Sequence, residues 1–363
     1  MFLSLASRFV ANIEALNAVE SIGNVTKHRR APVVIFNDKD NRYIIKYVPA
    51  ISGESIGHAY QVNVVEFAKA IYGNNLPVCK LCARGEFLKE MRMEYMIEEA
   101  KRVIDNKKLS DEDKKHEFEK TVIKNCLVED IGGFLSAEEF PVKRTSAFQV
   151  GYIVPTRDSI DATVIDTQFQ VRHAPVIAGG KTEIKAEEKN QEEKGEKERK
   201  EVAAQMLYYV EVASALYGMH FNLDIDAIGK TRLVKVEDAV NLEERKRRTL
   251  ASIGGLALTV LGQFGARRSR FNPISELKSL TISLSDNFMF TVTPPHDTKY
   301  LASTVERAKS FSNILKSAGI EPKISIYTYD VEIGNKLKDV NYFNTPEGVF
   351  EAVINHLKER GYV

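Results

Sequence analysis

The chain has 363 residues, 44% of them hydrophobic, enough for a sizeable core and for two domains of about 150 residues or one elaborated domain. Its 51 Lys and Arg nearly cancel 50 Asp and Glu, leaving a net charge of +1, so global charge announces no polyanion partner and any basic site has to be local. Cysteine is limited to Cys79, Cys82 and Cys126, which excludes a secreted disulfide framework and favours a reducing interior.

The opening residues "MFLSLASRFVANIEALN" have a short apolar head without a basic region before it, and they run on with alternating character. They predict a strand over 2–16 with Leu3, Leu5, Ser7, Phe9, Ala11 and Ile13 on one face. No run of about 18 apolar residues occurs, so the expectation is a cytoplasmic protein without a membrane partner. After a polar, basic segment, "VVIF-NDKDN-RYIIKYV" reads as a hairpin, two β-branched runs around a turn of Asn and Asp. From residue 52, "SGESIGHAYQVNVVEFAKAIYGNN" reads as a helix capped by Ser52 and ended by Gly73. Residues 86–127 are predicted helical, broken near "DNKKLSDEDKK", and strands are predicted in "TSAFQVGYIVP" and "ATVIDTQFQVRH".

Residues 181–201 hold seven basic and eight acidic side chains and almost nothing apolar, the composition of a mobile arm or solvated helix. A strand over 205–222, a helix over 237–261 and a strand over 277–286 follow. The tail then reads as a helix over 298–318, the strand "KISIYTY" and the helix "TPEGVFEAVINHLKERG". Without the insertions the order is strand, helix, strand, strand, helix, strand, that of an α+β, ferredoxin-like or RRM-like antiparallel sheet. The expected division is a core over 1–290, with a finger hairpin at 17–51, a helical insertion at 86–140 and a thumb-like arm at 174–204. An α/β tail over 291–363 packs on it.

Four basic clusters stand out: "KHRR" at 27–30, "KR" at 143–144, "RKRR" at 245–248 and "GQFGARRSRFNP" at 262–273. All but "RKRR" lie in loops or at element ends beside Gly or Pro, where arginine forks and backbone N–H groups can both face a phosphate. "RKRR" falls inside a predicted helix next to "NLEE", where a solvated face is the plainer reading. The start of the first helix, "ISGESIGH", offers free N–H groups and two hydroxyls, a ready anion site. His28, His58 and His173 could serve as general acid and base in metal-free RNA cleavage. No two-metal carboxylate cluster and no HExxH, Walker or GxSxG motif accompanies them. The lone pair Cys79 and Cys82, without a second pair or zinc-finger histidines, is a weak metal signal. No catalytic residue, metal or cofactor is therefore assigned. The RNP motif of ordinary RRMs is absent too, so recognition is expected to rest on backbone shape and to tolerate sequence.

Taken together, "ESIGNVTKHRRAPVV", "YVPAISGESIGHAYQ", "DIGGFL", "PVKRTSAFQVGYIVP", "QFQVRH", "VEVASALY" and "GQFGARRSRFNP" resemble the backbone subunits of type I-A CRISPR surveillance complexes (Cascade), the DevR branch of the RAMP superfamily. The pieces span about residues 8–280 in order. The resemblance implies an RRM-like palm with fingers and thumb, whose copies form a helical filament along one CRISPR RNA and present its bases to target DNA. It implies further partners as well: a RAMP cap subunit at the 5′ handle, large and small subunits, and an effector nuclease or helicase. Carried over residue by residue, it implies RNA contacts at Asn24, Lys27, His28, Arg29 and Arg30, and at Ser52, Gly53, Ser55, His58 and Gln61 of the helix start. Lys143 and Arg144, and Gly262, Gly265, Arg267, Arg268 and Arg270, complete the set. Related type III subunits cut RNA with an aspartate in the loop after the first strand, where this chain offers only Glu20. A binding scaffold is therefore expected, with a metal-independent endoribonuclease that processes CRISPR RNA as the alternative.

Overall fold

The computed structural model describes residues 1–14, 18–22, 25–37, 39–137, 140–173, 205–262, 275–334 and 336–363. Strand β1 (Phe2–Glu14) leads through β2 (Ala18–Ile22) and β3 (Val25–His28) into a hairpin of β4 (Arg30–Asn37) and β5 (Arg42–Pro49). Helix α1 (Gly53–Tyr72) follows, then α2 (Glu98–Ile104), α3 (Asp111–Asn125) and α4 (Leu127–Gly132). Short strands β6 (Phe134–Ser136), β7 (Val142–Arg144), β8 (Phe148–Val150) and β9 (Val154–Pro155) precede the long β10 (Val164–His173) and β11 (Gln205–Asp224). After β12 (Lys230–Thr231) and β13 (Glu237–Asp238) come α5 (Leu242–Val260) and β14 (Ser275–Ser285). The last elements are α6 (Tyr300–Ser317), β15 (Ile324–Asp330), β16 (Asn341–Tyr342) and α7 (Pro346–Glu359).

The fold is mixed α/β around one central sheet. Strand β1 lies in its middle, antiparallel to β11 on one side (Phe2↔Asp224 to Glu14↔Val212) and to β14 on the other (Phe2↔Ser285). Strands β8 and β9 pair antiparallel with the second half of β11, and β10 pairs with its first half. The expected all-antiparallel sheet is corrected in two places: β3 runs parallel to β11, and β16 runs parallel to β15. The cause of the first is local, because the β2–β3 hairpin reaches past the end of β1 and its second strand meets β11 at Tyr209 and Val210.

The one-face reading of β1 holds for Leu3, Leu5, Phe9, Ala11 and Ile13, which pack with Tyr60 and Val64 of α1 and Ile253 and Leu256 of α5. Its other face, however, is covered as well. Ala6 packs with Val292, Tyr300, Leu301 and Val305, and the Tyr300 hydroxyl shares a 2.9 Å hydrogen bond with Thr281 of β14. Arg8, 1% exposed, donates to Glu332 at 2.6 Å and to Asp158 at 2.8 Å. The sheet is thus the middle of three layers, and residues 288–317 form the third.

Helix α1 begins where the sequence predicts: the Ser55 N–H donates to Ser52 Oγ at 3.2 Å, and Gly73 ends it at φ +57°. Helix α5 starts at Leu242 rather than 237, because Asn241 caps it through the Glu244 N–H at 2.9 Å while residues 237–238 pair with β12. Residues 86–97 are not helical as expected; Lys89 and Glu90 take φ +59° and +56°, which no right-handed helix accommodates. The expected hairpin forms as β4 and β5, with Asn37 opposite Arg42, and leaves Phe36, Tyr43, Ile45 and Tyr47 exposed. The charged arm at 174–204 lies outside the described residues.

Candidate nucleic-acid interface

The basic stretch Lys27–Arg30 joins β3 to β4, and hydrogen bonding ties it to the start of α1: the Ala50 N–H donates to the Arg29 carbonyl at 2.9 Å, two residues before Ser52. Ile51 in turn pairs with Ile153, which brings the 151–157 segment alongside. Arg29 reaches over to Tyr152, its Nη1 donating to the phenol oxygen at 3.0 Å with the guanidinium carbon 6.0 Å from the ring centre. Its Nε is buried without a protein partner. Arg30, Tyr152, Arg157 and His296 line an open cleft whose wall is Pro32 and Val34. Lys27 and Arg157 are exposed, and Arg30 is held by one 3.1 Å ion pair to Glu211. Cations around an exposed aromatic ring, at the positive end of a helix, suit a phosphate chain with a sugar or base against the ring. Tyr152 and Arg157 escaped the sequence reading because neither sits in a basic run; the "GY" dipeptide ahead of a strand was the available signal.

Several of the expected RNA-facing residues turn inward. The His28 ring is 3% exposed, its Nδ1 bonded to the Arg29 carbonyl at 2.8 Å, and its backbone N–H donates to Glu211 at 2.8 Å. Burial holds its pKa below the usual histidine value, with Glu211 pulling the other way and Arg30 reinforcing the shift. Because the folded pKa is depressed, the contribution of the neutral ring is full above the unfolded pKa of about 6.5 and is lost as pH falls toward the folded value. The expected result is that the urea midpoint of His28→Asn declines less than that of the wild type between pH 7.5 and 5.5, under otherwise equal conditions. Parallel declines would refute it.

Gln61 is also internal: its Nε2 donates to the Gly57 carbonyl at 2.9 Å and its Oε1 accepts from Lys89. Ser52 is spent on capping, and Gly53 is explained by packing, since a Cβ there would lie 2.6 Å from the Val150 carbonyl oxygen. Ser55 is half-buried, and His58 is exposed with its ring 4.9 Å from that of Phe87.

Arg144 departs furthest from expectation. Strand alternation sends Lys143 out and Arg144 in, where all five N–H groups are used: on Glu119, on Asp130 and its carbonyl, and on the carbonyls of Ala227 and Lys230, at 2.6–3.0 Å. Asp130, fully buried, also accepts from Arg248 at 2.9 Å and from the Gly229 N–H. Arg248 is likewise fully buried, so the last residue of "RKRR" belongs to the core and not to a solvated face. This network lies by the carbonyl end of β11, the end of the sheet away from Lys27–Arg30.

Helices α1 and α5 run antiparallel, joined by a 2.9 Å bond from Asn63 to Thr259, so α5 ends toward the first turns of α1. Gly262 follows at φ +105°, and β14 resumes opposite Ala11. Gly262 and Ser275, the described residues on either side of 263–274, therefore stand at the end of the sheet that carries Lys27–Arg30. Gly265, Arg267, Arg268 and Arg270, like Asn24, lie outside the described residues.

The family model described as "CRISPR-associated negative auto-regulator DevR/Csa2" matches residues 5–305. This chain belongs to the DevR/Csa2 family. Two relatives from Saccharolobus solfataricus, named "CRISPR-associated aCascade subunit Cas7/Csa2 2" and "CRISPR-associated protein Cas7/Csa2 1", are each 35% identical to it; the first alignment covers 92% of this chain and 94% of the relative, the second 97% and 98%. A Methanocaldococcus jannaschii protein, "CRISPR-associated protein Cas7/Cst2/DevR", is 28% identical over 94% of this chain and 97% of its own. A solved "CRISPR RNA-guided surveillance complex" chain aligns over 98% of this chain and 99% of its own, at a TM-score of 0.46 and 8% identity, too shallow to count as a shared fold. Among the described residues of this DevR/Csa2 protein, no helix is long and apolar enough to cross a membrane.

Proposed function

We propose that this DevR/Csa2 protein is a non-catalytic, sequence-tolerant CRISPR RNA-binding subunit whose copies line up along one guide RNA and leave its bases free for target DNA. The observation that carries the reading is the cluster of Arg29, Arg30 and Arg157 around Tyr152, beside the start of α1. Arginine forks match phosphate geometry and stay charged, whereas among the described residues no Asn or Gln lines the same cleft. The core strands β1, β8–β9, β11 and β14 lie in the order fourth, first, third, second, which supports an RRM-like palm. The exposed β4–β5 hairpin serves as its finger, and the β10–β11 pair as the root of its thumb. In the cytoplasm its partners are further copies of itself, a RAMP cap subunit at the 5′ handle, large and small subunits and an effector nuclease or helicase.

Substituting Arg29, Arg30 and Arg157 together with alanine is expected to weaken binding to every spacer sequence alike. It should also reduce the salt slope of log affinity by about 2, near 0.7 for each phosphate of a single strand that is no longer neutralised. The same design applies to Arg267, Arg268 and Arg270. Unchanged affinity and slope in both triple variants would sink the proposal. Metal-free cleavage of a CRISPR repeat at one position, abolished by His58→Ala, would establish the endoribonuclease instead; the burial of His28 speaks against that residue as its partner.

A further inference from the structure

The weak "CKLC" signal gains two members in three dimensions. Cys79 precedes and Cys82 opens a 3-10 turn, while Cys126 stands at the junction of α3 and α4 and Glu129 lies one turn into α4. One side-chain ligand atom from each of the four falls within 4.8 Å of all the others, with Cys79 half-buried and the other three buried. The Sγ atoms of Cys79 and Cys82 are 3.7 and 3.9 Å from Glu129 Oε1. A tetrahedral zinc with bonds of about 2.3 Å to sulfur and about 2.1 Å to oxygen separates its ligand atoms by about 3.6–3.8 Å. The spacing is also doubled: Cys79-x-x-Cys82 and Cys126-x-x-Glu129 are two pairs of the same step, brought together by the Leu127 N–H bond to the Pro77 carbonyl at 2.8 Å.

We propose that Cys79, Cys82, Cys126 and Glu129 bind one zinc ion that clips the start of α4 to the 76–90 loop. Two further observations point to a cation. Glu129 is 2% exposed, and its Oε2 has no protein partner, an orphaned buried oxygen next to three sulfurs. The Cys82 N–H points at Cys79 Sγ at 3.4 Å, the kind of bond that stabilises a thiolate. The proposal does not depend on RNA binding; the clip holds the helical insertion against α1, away from Lys27–Arg30.

The test uses the full chain, purified as it assembles and without chelator, and reads zinc per chain by inductively coupled plasma mass spectrometry. One zinc per chain is expected, with loss of the metal in Cys79→Ser and Cys126→Ser. Because a serine variant can fail to fold, Glu129→Gln, which keeps the shape, is measured alongside; its zinc affinity should fall at least about tenfold. Cobalt added to the chelated wild type should give the thiolate charge-transfer and tetrahedral ligand-field bands, and zinc should displace it. Wild-type protein that holds no zinc, shows no cobalt bands and presents three freely alkylated thiols overturns the proposal. So does a disulfide between any two of the cysteines in intact mass spectra.

Discussion

Asp130→Ala is expected to destabilise the protein by about 3–5 kcal/mol, the loss typical of a buried ion pair broken from one side. Two guanidinium groups, those of Arg144 and Arg248, would be left facing each other across the vacated site, and the Gly229 N–H would lose its acceptor. Arg144 keeps Glu119 and the Ala227 carbonyl, and Arg248 keeps Glu244 and the Ile123 carbonyl, so the damage is the loss of the buried acceptor between two adjacent guanidinium groups rather than unpaired charge. A matched control is Asp224→Asn, whose partner Arg232 is 46% exposed and which should cost no more than about 1 kcal/mol. Urea unfolding of both variants checks the contrast. Equal losses would mean that burial does not set the energetics of the network.

The second large effect concerns Gly254 and Gly255, which sit side by side on α5 against α1. A Cβ at Gly254 would lie 2.4 Å from the Phe67 ring, whereas one at Gly255 would lie 2.7 Å from the Val64 backbone nitrogen and 2.8 Å from its Cα. Alanine at either position should cost about 1–3 kcal/mol by overpacking. The two should part company in double variants, because a side chain can be trimmed and a backbone cannot. Adding Phe67→Leu is expected to recover much of the loss of Gly254→Ala, while adding Val64→Ala should recover none of the loss of Gly255→Ala. Rescue of both, read from denaturation midpoints, would contradict the close backbone approach.

These glycines mark a limit of sequence reading. "IGG" carries a glycine signal but not its cause, because the atom that forbids a side chain lies on another helix. What depends on neighbours in sequence was legible: the Asn and Asp turn between β4 and β5, the Ser52 cap and Gly73 stop of α1, and the alternation that fixes the inward face of β1. What depends on distant partners was not. Arg144 reads as basic beside Lys143, yet it is drawn inward by Asp130, 14 residues away, which also holds Arg248, 118 residues away. Cys126 reads as a single cysteine until α4 is folded against the "CKLC" turn. At the candidate interface, "KHRR" was legible as basic, but one rung of strand geometry decides that His28 points in while Lys27 stays out.

The covered far side of the sheet bears on how a guide could be carried. In ordinary RRMs an open sheet is a table on which bases lie flat. Here Val292, Tyr300, Leu301 and Val305 already occupy that table beneath Ala6, and Arg8 is bolted down by Glu332 and Asp158. Among the described residues, a strand held under the proposed function would find its grip on the rim, at Lys27–Arg30 and the start of α1. Held there, the sugar–phosphate cord would be fastened and the letters would hang outward, legible to a second strand and illegible to the protein itself.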